Sequence, residues 1–347
     1  MSAWESNVRK VIPYVPGEQP KENNIIKLNT NENPYPPSPK VLEKAVELEK
    51  LRLYPDDKAE LLVDTIADYH GLNNNQVFVG VGSDDVLAMA FMTFFNSDRS
   101  ILFPDITYSF YDVWAELFGI SYERPALDDN FRIKAEDYYK ENGGVVIANP
   151  NAPTGIAEPI SFIEDILEHN KDVVVIVDEA YVDFGGESAL PLIDKYENLL
   201  VVRTFSKSRS MAGLRIGYAM GSEKLIKYMK DVKFSYNSYT MNMPSIILGT
   251  ESIKDEEYFR ETVGKVVETR DWFKEEIKKI GFSCPDSSTN FLFITHKDIP
   301  ASEIFNKARE KKIFVRYFKK PRIDNYLRVT IGTREDMETF LEFLKTL

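Results

Sequence analysis

The sequence predicts an α/β protein: a mostly parallel sheet covered by helices on both faces, followed by a smaller α+β unit. Three observations carry this. Segments 145–148, 173–177 and 199–202 are apolar throughout. Strands without polar alternation are buried on both faces, the habit of parallel sheets. Helix-like stretches alternate with strands over the first two thirds of the chain, as in a wound α/β domain. Beyond Ser222 helical patterning dominates to about residue 281, and short strands and helices then alternate to the end.

Length and composition set limits. A chain of 347 residues makes one large or two modest domains. The net charge of −12 argues against a nucleic-acid surface, so an anionic small molecule would need a local basic pocket. The single cysteine, Cys284, excludes an intramolecular disulfide, and His70, His169 and His296 have no metal-ligand spacing. No metal is expected. The start, MSAWESNVRK, is polar and reads as no signal peptide. No apolar run approaches the ~20 residues of a membrane span. The expectation is a cytoplasmic protein with no nucleic-acid and no membrane partner.

Taken in order, residues 1–38 read as an extended arm, because prolines at 13, 16 and 20 and the run LNTNENPYPPSP disfavour helix. Ile25, Ile26 and Leu28 suggest that the arm packs on something. Ser38 and Pro39 form an N-cap with proline at the first helical position, predicting a helix over 41–51. LYPD (53–56) is a turn. Residues 57–70 carry apolar positions at helical spacing, ended by Gly71. A strand over 76–81 then meets Gly82-Ser83-Asp84-Asp85, which opens a helix. Free backbone N–H groups there favour an anion. Asp85 would disfavour that anion unless it points away. Residues 101–104 predict a strand, and Thr107-Tyr108-Ser109-Phe110-Tyr111 opens an aromatic-rich helix. Tyr108 can stack on a flat ring, whereas Phe110 reads as core.

The strand over 145–148 runs into NPNAPTG (149–155), a rigid polar turn. A helix over 159–169 leads to the strand over 172–177, which ends in Asp178-Glu179-Ala180-Tyr181. The strand over 199–204 ends in Thr204-Phe205-Ser206-Lys207-Ser208, with Arg215 eight residues after the lysine. Polar residues at the carboxyl ends of parallel strands line the ligand crevice. Asn151, Asp178, Tyr181, Thr204 and Lys207 all fall there. In the second unit a long amphipathic helix covers about 258–280. Strands at 291–294, 313–317 and 327–331 and helices at 301–311 and 334–347 complete it. Arg316 and Arg328 lie on or beside its strands.

These groups are what pyridoxal phosphate requires. Its aldehyde needs an amine, which a lysine of lowered pKa supplies. Its ring nitrogen needs an anion and its phenolate needs donors. Its phosphate needs amides, hydroxyls and a guanidinium. A metal hydrolase lacks ligand clusters here, and no GxxxxGK[ST] is present.

NPNAPTG, DEAY and TFSK with Arg215 resemble the class I/II aminotransferases of fold type I, and the resemblance spans essentially the whole chain. It implies a seven-stranded-type sheet in a large cofactor-binding domain (39–240), and connecting helices with a small domain (241–347). It also implies an arm (1–38) packed on the small domain and on a partner subunit. The arm, LYPD, VGVGSDD and LRVTIGTRED are most similar to family members that convert L-histidinol phosphate and 2-oxoglutarate into imidazole acetol phosphate and glutamate. An aromatic or broad-specificity aminotransferase, or a phosphothreonine decarboxylase on the same scaffold, is the alternative. The resemblance makes Lys207 the amine that joins the cofactor and the base that moves the substrate proton. It pairs Asp178 with the ring nitrogen and stacks Tyr108 on the ring. It gives Tyr181 and a turn asparagine to the ring oxygen. The phosphate falls to the backbone of Ser83 and Asp84, with Thr204, Ser206, Arg215 and, from a homodimer partner, Tyr54. Arg328, helped by Arg316, would take the substrate's anionic end, with Tyr14 and Asn31 closing over it. Many relatives place asparagine directly before the second proline, where this chain has Ala152; the role passes to Asn151, with Asn149 the alternative.

Overall fold

The computed structural model describes residues 8–15 and 17–347. The first seven residues of the predicted arm and Pro16 lie outside the described residues. Strands in chain order are β1 (Ile26–Leu28), β2 (Val77–Gly80), β3 (Ile101–Leu102), β4 (Tyr122–Glu123), β5 (Val145–Ala148), β6 (Val175–Asp178), β7 (Leu199–Thr204) and β8 (Gly217–Gly221). They continue with β9 (Phe282–Ser283), β10 (Phe291–His296), β11 (Ile313–Tyr317) and β12 (Leu327–Thr330).

Seven of them form one sheet in the order β2-β8-β7-β6-β5-β3-β4. The β3–β4, β3–β5, β5–β6 and β6–β7 pairings are parallel, and β8 runs antiparallel between β2 and β7. The predicted α/β class with a mostly parallel sheet is therefore what the chain forms. The unbroken apolar strands explain themselves in the burial. Val145, Ile147, Val175, Val177 and Val201 feed one apolar layer, and Val146, Ile176, Leu200 and Val202 feed the opposite one. Successive side chains point to opposite faces, so a strand buried on both sides cannot alternate in polarity.

The second sheet has the order β1-β11-β12-β10-β9. The arm's apolar triplet pairs parallel with β11, Ile26 opposite Ile313 and Leu28 opposite Val315. Phe273, Ile277, Leu292, Ile294 and Phe340 centre its separate core. The long helix Glu256–Lys278 is tied to both parts: Arg270 Nη1 donates to the carbonyls of Phe184 (2.8 Å) and Thr289 (3.0 Å).

One expected helix is mostly absent. Ser38 caps as predicted, accepting from the Val41 amide, but the helix covers only Pro39–Glu43 and is followed by a 3₁₀ turn, Leu48–Arg52. Only Val41 of this helix is buried. Helices this short are marginal without an apolar face to bury. Elsewhere helix Glu60–His70 ends on left-handed Gly71, as predicted.

Candidate active site

The carboxyl ends of β5, β6 and β7 and the start of helix Ser83–Phe94 enclose a cleft of about 240 Å³. Ser83, Asp84, Tyr108, Ala152, Asp178, Tyr181, Thr204, Ser206, Lys207 and Arg215 line it. A second chamber of about 130 Å³ adjoins it and shares Thr30, Tyr108, Ala152, Tyr181 and Lys207; its far wall holds Tyr14, Asn31, Arg316 and Arg328. A larger cavity of about 450 Å³ lies elsewhere, but its lysines at 171, 195 and 224 are paired with surface glutamates.

Lys207 Nζ donates to the carbonyl of Thr30 (3.3 Å) and lies 5.7 Å from the centre of the Tyr181 ring. Its backbone is held from the arm: Asn33 Nδ2 donates to the carbonyls of Lys207 (3.1 Å) and Ser208 (3.2 Å). Asp178, at the end of β6, is buried, accepts from the Tyr111 hydroxyl (2.8 Å) and from the Ala180 amide (3.2 Å), and has no cation paired with it among the described residues. Burial pushes its carboxyl up to about 6, against the Tyr111 bond.

At the other end of the cleft, Ser83 presents its amide at the helix start. Gly82 is left-handed (φ +88), and a Cβ there would lie 2.5 Å from Arg215 Nη2, so glycine lets the guanidinium approach the turn. Arg215 reaches Ser206 Oγ (3.5 Å) and Asp84 Oδ2 (3.5 Å), and Asp84 Oδ1 accepts from the Tyr108 hydroxyl (2.8 Å). Thr204 Oγ1 accepts from the Ser206 amide (3.1 Å). Asp85 turns away, its carboxylate accepting from the Val81 amide (2.9 Å), which leaves the helix start clear for an anion.

In the second chamber Arg316 and Arg328 stand opposite one another across β11 and β12. Arg328 is half-buried in the chamber wall. Its Nη2 donates to the carbonyl of Asn29 (3.1 Å), while its Nε, shielded from solvent, has no partner among the described residues. Burial, with Arg316 nearby, pushes its guanidinium pKa down. Tyr14 stacks on Phe110 at 4.2 Å.

A family model, "Aminotransferase class I and II", matches residues 23–344. The chain belongs to the class I and II aminotransferases. Histidinol-phosphate aminotransferase of Lactococcus lactis subsp. cremoris is 51% identical to it over 346 residues, 99% of this chain and 97% of that one. The enzyme of the same name from Clostridium botulinum is 52% identical, over 100% of this chain and 99% of that one. Among solved structures, histidinol-phosphate aminotransferase of Clostridium acetobutylicum superposes with a TM-score of 0.86 at 24% identity, covering 93% of this chain and 98% of that one. The Sinorhizobium meliloti enzyme, solved in complex with pyridoxal-5′-phosphate, gives 0.79 at 20%, covering 92% and 91%.

One of the residues predicted for the site of this chain, Asn151, does not line the cleft of this aminotransferase. Asn151 is buried, but both its amide hydrogens are used by the protein, on the Ile106 carbonyl (2.9 Å) and on Thr154 Oγ1 of its own turn (3.1 Å). The alternative, Asn149, donates to the Glu158 carbonyl (2.9 Å) and accepts from the Glu158 amide (2.8 Å). A proline-rich turn must satisfy its own backbone, and these side chains do so. Tyr54 is 80% exposed, against Tyr239 at 4.7 Å, and does not reach the cleft of its own chain. Sequence reasoning missed Tyr111, Asn33 and Glu32. Tyr111 closes the TYSFY run that drew attention to Tyr108, and Asn33 and Glu32 belong to the same LNTNENP run as Asn31.

Proposed function

We propose that this aminotransferase moves the amino group of L-histidinol phosphate to 2-oxoglutarate, giving imidazole acetol phosphate and L-glutamate, with pyridoxal phosphate held in the cleft. The observation that carries the reading is the placing of Lys207 between two side chains that have no counter-ion among the described residues, the buried carboxylate of Asp178 and the half-buried guanidinium of Arg328. The namesake relatives, half identical over the full chain, support the choice of substrate.

The residues fit the cofactor. Asp178 would face the ring nitrogen, where a buried carboxylate favours a bound proton. Tyr108 and Ala152 would flank the ring and Tyr181 would face its oxygen. The Ser83 amide, Thr204, Ser206 and Arg215 would hold the phosphate, using a helix N-terminus and a guanidinium as anion partners. When bound, pyridoxal phosphate supplies an aldehyde that condenses with amines and a ring that withdraws electrons from the neighbouring α-carbon. Lys207 Nζ takes the proton from that α-carbon, a general-base step. Arg328, with Arg316, grips the phosphate of histidinol phosphate in one half-reaction and a carboxylate of 2-oxoglutarate or glutamate in the other. A guanidinium fork suits both anions. Tyr14 and the aromatic wall it joins flank the substrate.

We also propose a homodimer acting in the cytoplasm. Tyr54, exposed beside Tyr239 and flanked in sequence by exposed Leu51 and Leu53, would reach the partner's cofactor phosphate. Steady-state rates test the substrate: kcat/KM with histidinol phosphate should exceed that with phenylalanine by orders of magnitude, and a preference for phenylalanine would overturn it. The holoenzyme should show a visible absorption band that shifts on adding amino donor and is lost in Lys207→Ala.

A further inference from the structure

The turn that should supply an amide donor to the cofactor's ring oxygen does not. Ala152 lines the cleft, and the neighbouring asparagines aim their side-chain amides at the protein itself, Asn151 at the Ile106 carbonyl and Thr154 Oγ1 and Asn149 at the Glu158 carbonyl. Tyr181 is then the donor on that side, and a phenol carries one proton only. Where that proton points decides the chemistry. Asn31 Nδ2 donates to Tyr181 Oη at 2.9 Å. The amide cannot be turned over, because Thr330 Oγ1 fixes its other end. That hydroxyl accepts from the Asn31 backbone amide (3.0 Å) and therefore gives its own proton to Asn31 Oδ1 (3.0 Å). Asn290 Nδ2 holds the Asn31 carbonyl (3.0 Å), and Asn31 itself is left-handed (φ 57), a conformation asparagine tolerates.

We propose that Asn31 is a positioning residue: by donating to the Tyr181 oxygen it directs the tyrosine's proton into the cleft, where it replaces the donor that Ala152 cannot provide. The inference rests on the reading of the cleft as a pyridoxal phosphate site. It moves Asn31 from a contact closing over substrate to a group acting through Tyr181. Thr330 lies two residues from Arg328 on β12, so both side chains leave the same face of that strand. The donor at the ring oxygen is thereby built onto the strand that grips the substrate's anion.

The test is the pH titration of the visible band of the holoenzyme, a readout that a loss of fold or of substrate contact does not move in a defined direction. A donor to the ring oxygen draws negative charge away from the adjoining proton, so the protonated yellow form loses that proton at lower pH. Tyr181→Phe should raise the midpoint. Asn31→Asp, of equal size, replaces a donor by an acceptor, captures the tyrosine's proton, and should raise the midpoint by about one pH unit. The added charge alone would also raise it, so the deciding measurement is Asn31→Asp in the Tyr181→Phe background. The expected result is a clearly smaller shift there than in the wild-type background. Equal shifts in both backgrounds overturn the proposal. Thr330→Val keeps Asn31 but frees its amide to turn over, and should move the midpoint the same way; no movement counts against it. A wild-type protein with no visible band at all would instead defeat the cofactor reading beneath.

Discussion

The Tyr111 hydroxyl donates to Asp178 Oδ2 at 2.8 Å, both residues being buried where β6 meets the cleft. Burial raises the Asp178 carboxyl from 3.8 to about 6. Between those values the folded state keeps a proton that the unfolded state releases. The stabilising contribution is full below about pH 3.8, falls as pH rises, and is gone above about pH 6. The difference corresponds to about 3 kcal/mol. Asp178→Asn should therefore flatten this slope in cofactor-free protein, read as urea midpoints at pH 4.5 and 7 relative to wild type. The same variant should lower transamination on the order of a hundredfold if, as proposed, the lost charge faces the ring nitrogen. Tyr111→Phe removes a bond that favours the ionised carboxylate, so its slope should extend to higher pH. An unchanged slope in both variants would show that Asp178 is not buried as described.

An ion pair holds the DEAY segment. Arg203 Nη2 lies 2.9 Å from Glu179 Oε2 and donates to Ser188 Oγ at 2.8 Å, and both charged side chains are nearly inaccessible. Arg203 also approaches Asp183, whose carboxylate accepts from the Ser208 hydroxyl beside Lys207. Burial pushes the Glu179 carboxyl up even with Arg203 present. Arg203→Met leaves that charge uncompensated and should cost about 3–5 kcal/mol at neutral pH. With a raised folded-state pKa, stability falls as pH rises above about 4.5, so the deficit should be smallest in acid. Denaturant midpoints at pH 5 and 8 check this. Glu179→Gln in the same background should recover part of the loss.

Tyr54 offers a test of the dimer. Among the described residues Tyr239 is the aromatic ring it packs on, and its side chain is exposed. Tyr54→Phe should leave the unfolding midpoint within about 0.5 kcal/mol of wild type. It should nonetheless release the cofactor severalfold faster, through loss of one hydrogen bond from the neighbouring subunit. Size-exclusion chromatography and dialysis against cofactor-free buffer make the measurement. A monomer, or a dimer whose cofactor leaves at the wild-type rate, would contradict the assignment.

How much of this was legible in the sequence follows from which physical terms leave a local trace. Strands buried on both faces write unbroken apolar runs, so β5, β6 and β7 could be read directly, and with them the strand ends that carry Asp178, Thr204 and Lys207. The arm strand β1 left a weaker trace: Ile26 and Leu28 announced packing but not their partner, β11, which lies almost 290 residues away. Hydrogen-bond bookkeeping leaves none. Whether Asn151 faces a ligand or satisfies its own turn depends on Ile106 and Thr107, more than 40 residues upstream. The buried pair of Glu179 and Arg203 was equally hidden, since an arginine inside an apolar strand reads as an exception until its carboxylate is seen.

Arg328 allows the sharpest test of the substrate grip. Among the described residues its half-buried guanidinium makes one hydrogen bond, to the Asn29 carbonyl, has no carboxylate paired with it, and leaves the solvent-shielded Nε without a partner. A buried charge without a counter-ion is costly to the folded chain. Arg328→Ala should therefore leave the ligand-free protein as stable as wild type or more so, despite the lost packing against Phe291 and Phe318. Catalysis should move the other way. Truncating one partner of a buried, hydrogen-bonded charge pair costs about 2–5 kcal/mol, so kcat/KM for histidinol phosphate and for glutamate should both fall at least about thirtyfold, mainly through KM. Arg328→Lys keeps the charge but loses the two-point grip, and should lie between. Inorganic phosphate should raise the melting temperature of wild type and not of Arg328→Ala. Unchanged kinetics with glutamate would move the carboxylate site to another arginine, and a strongly destabilised Arg328→Ala would mean that the side chain serves the fold rather than the ligand.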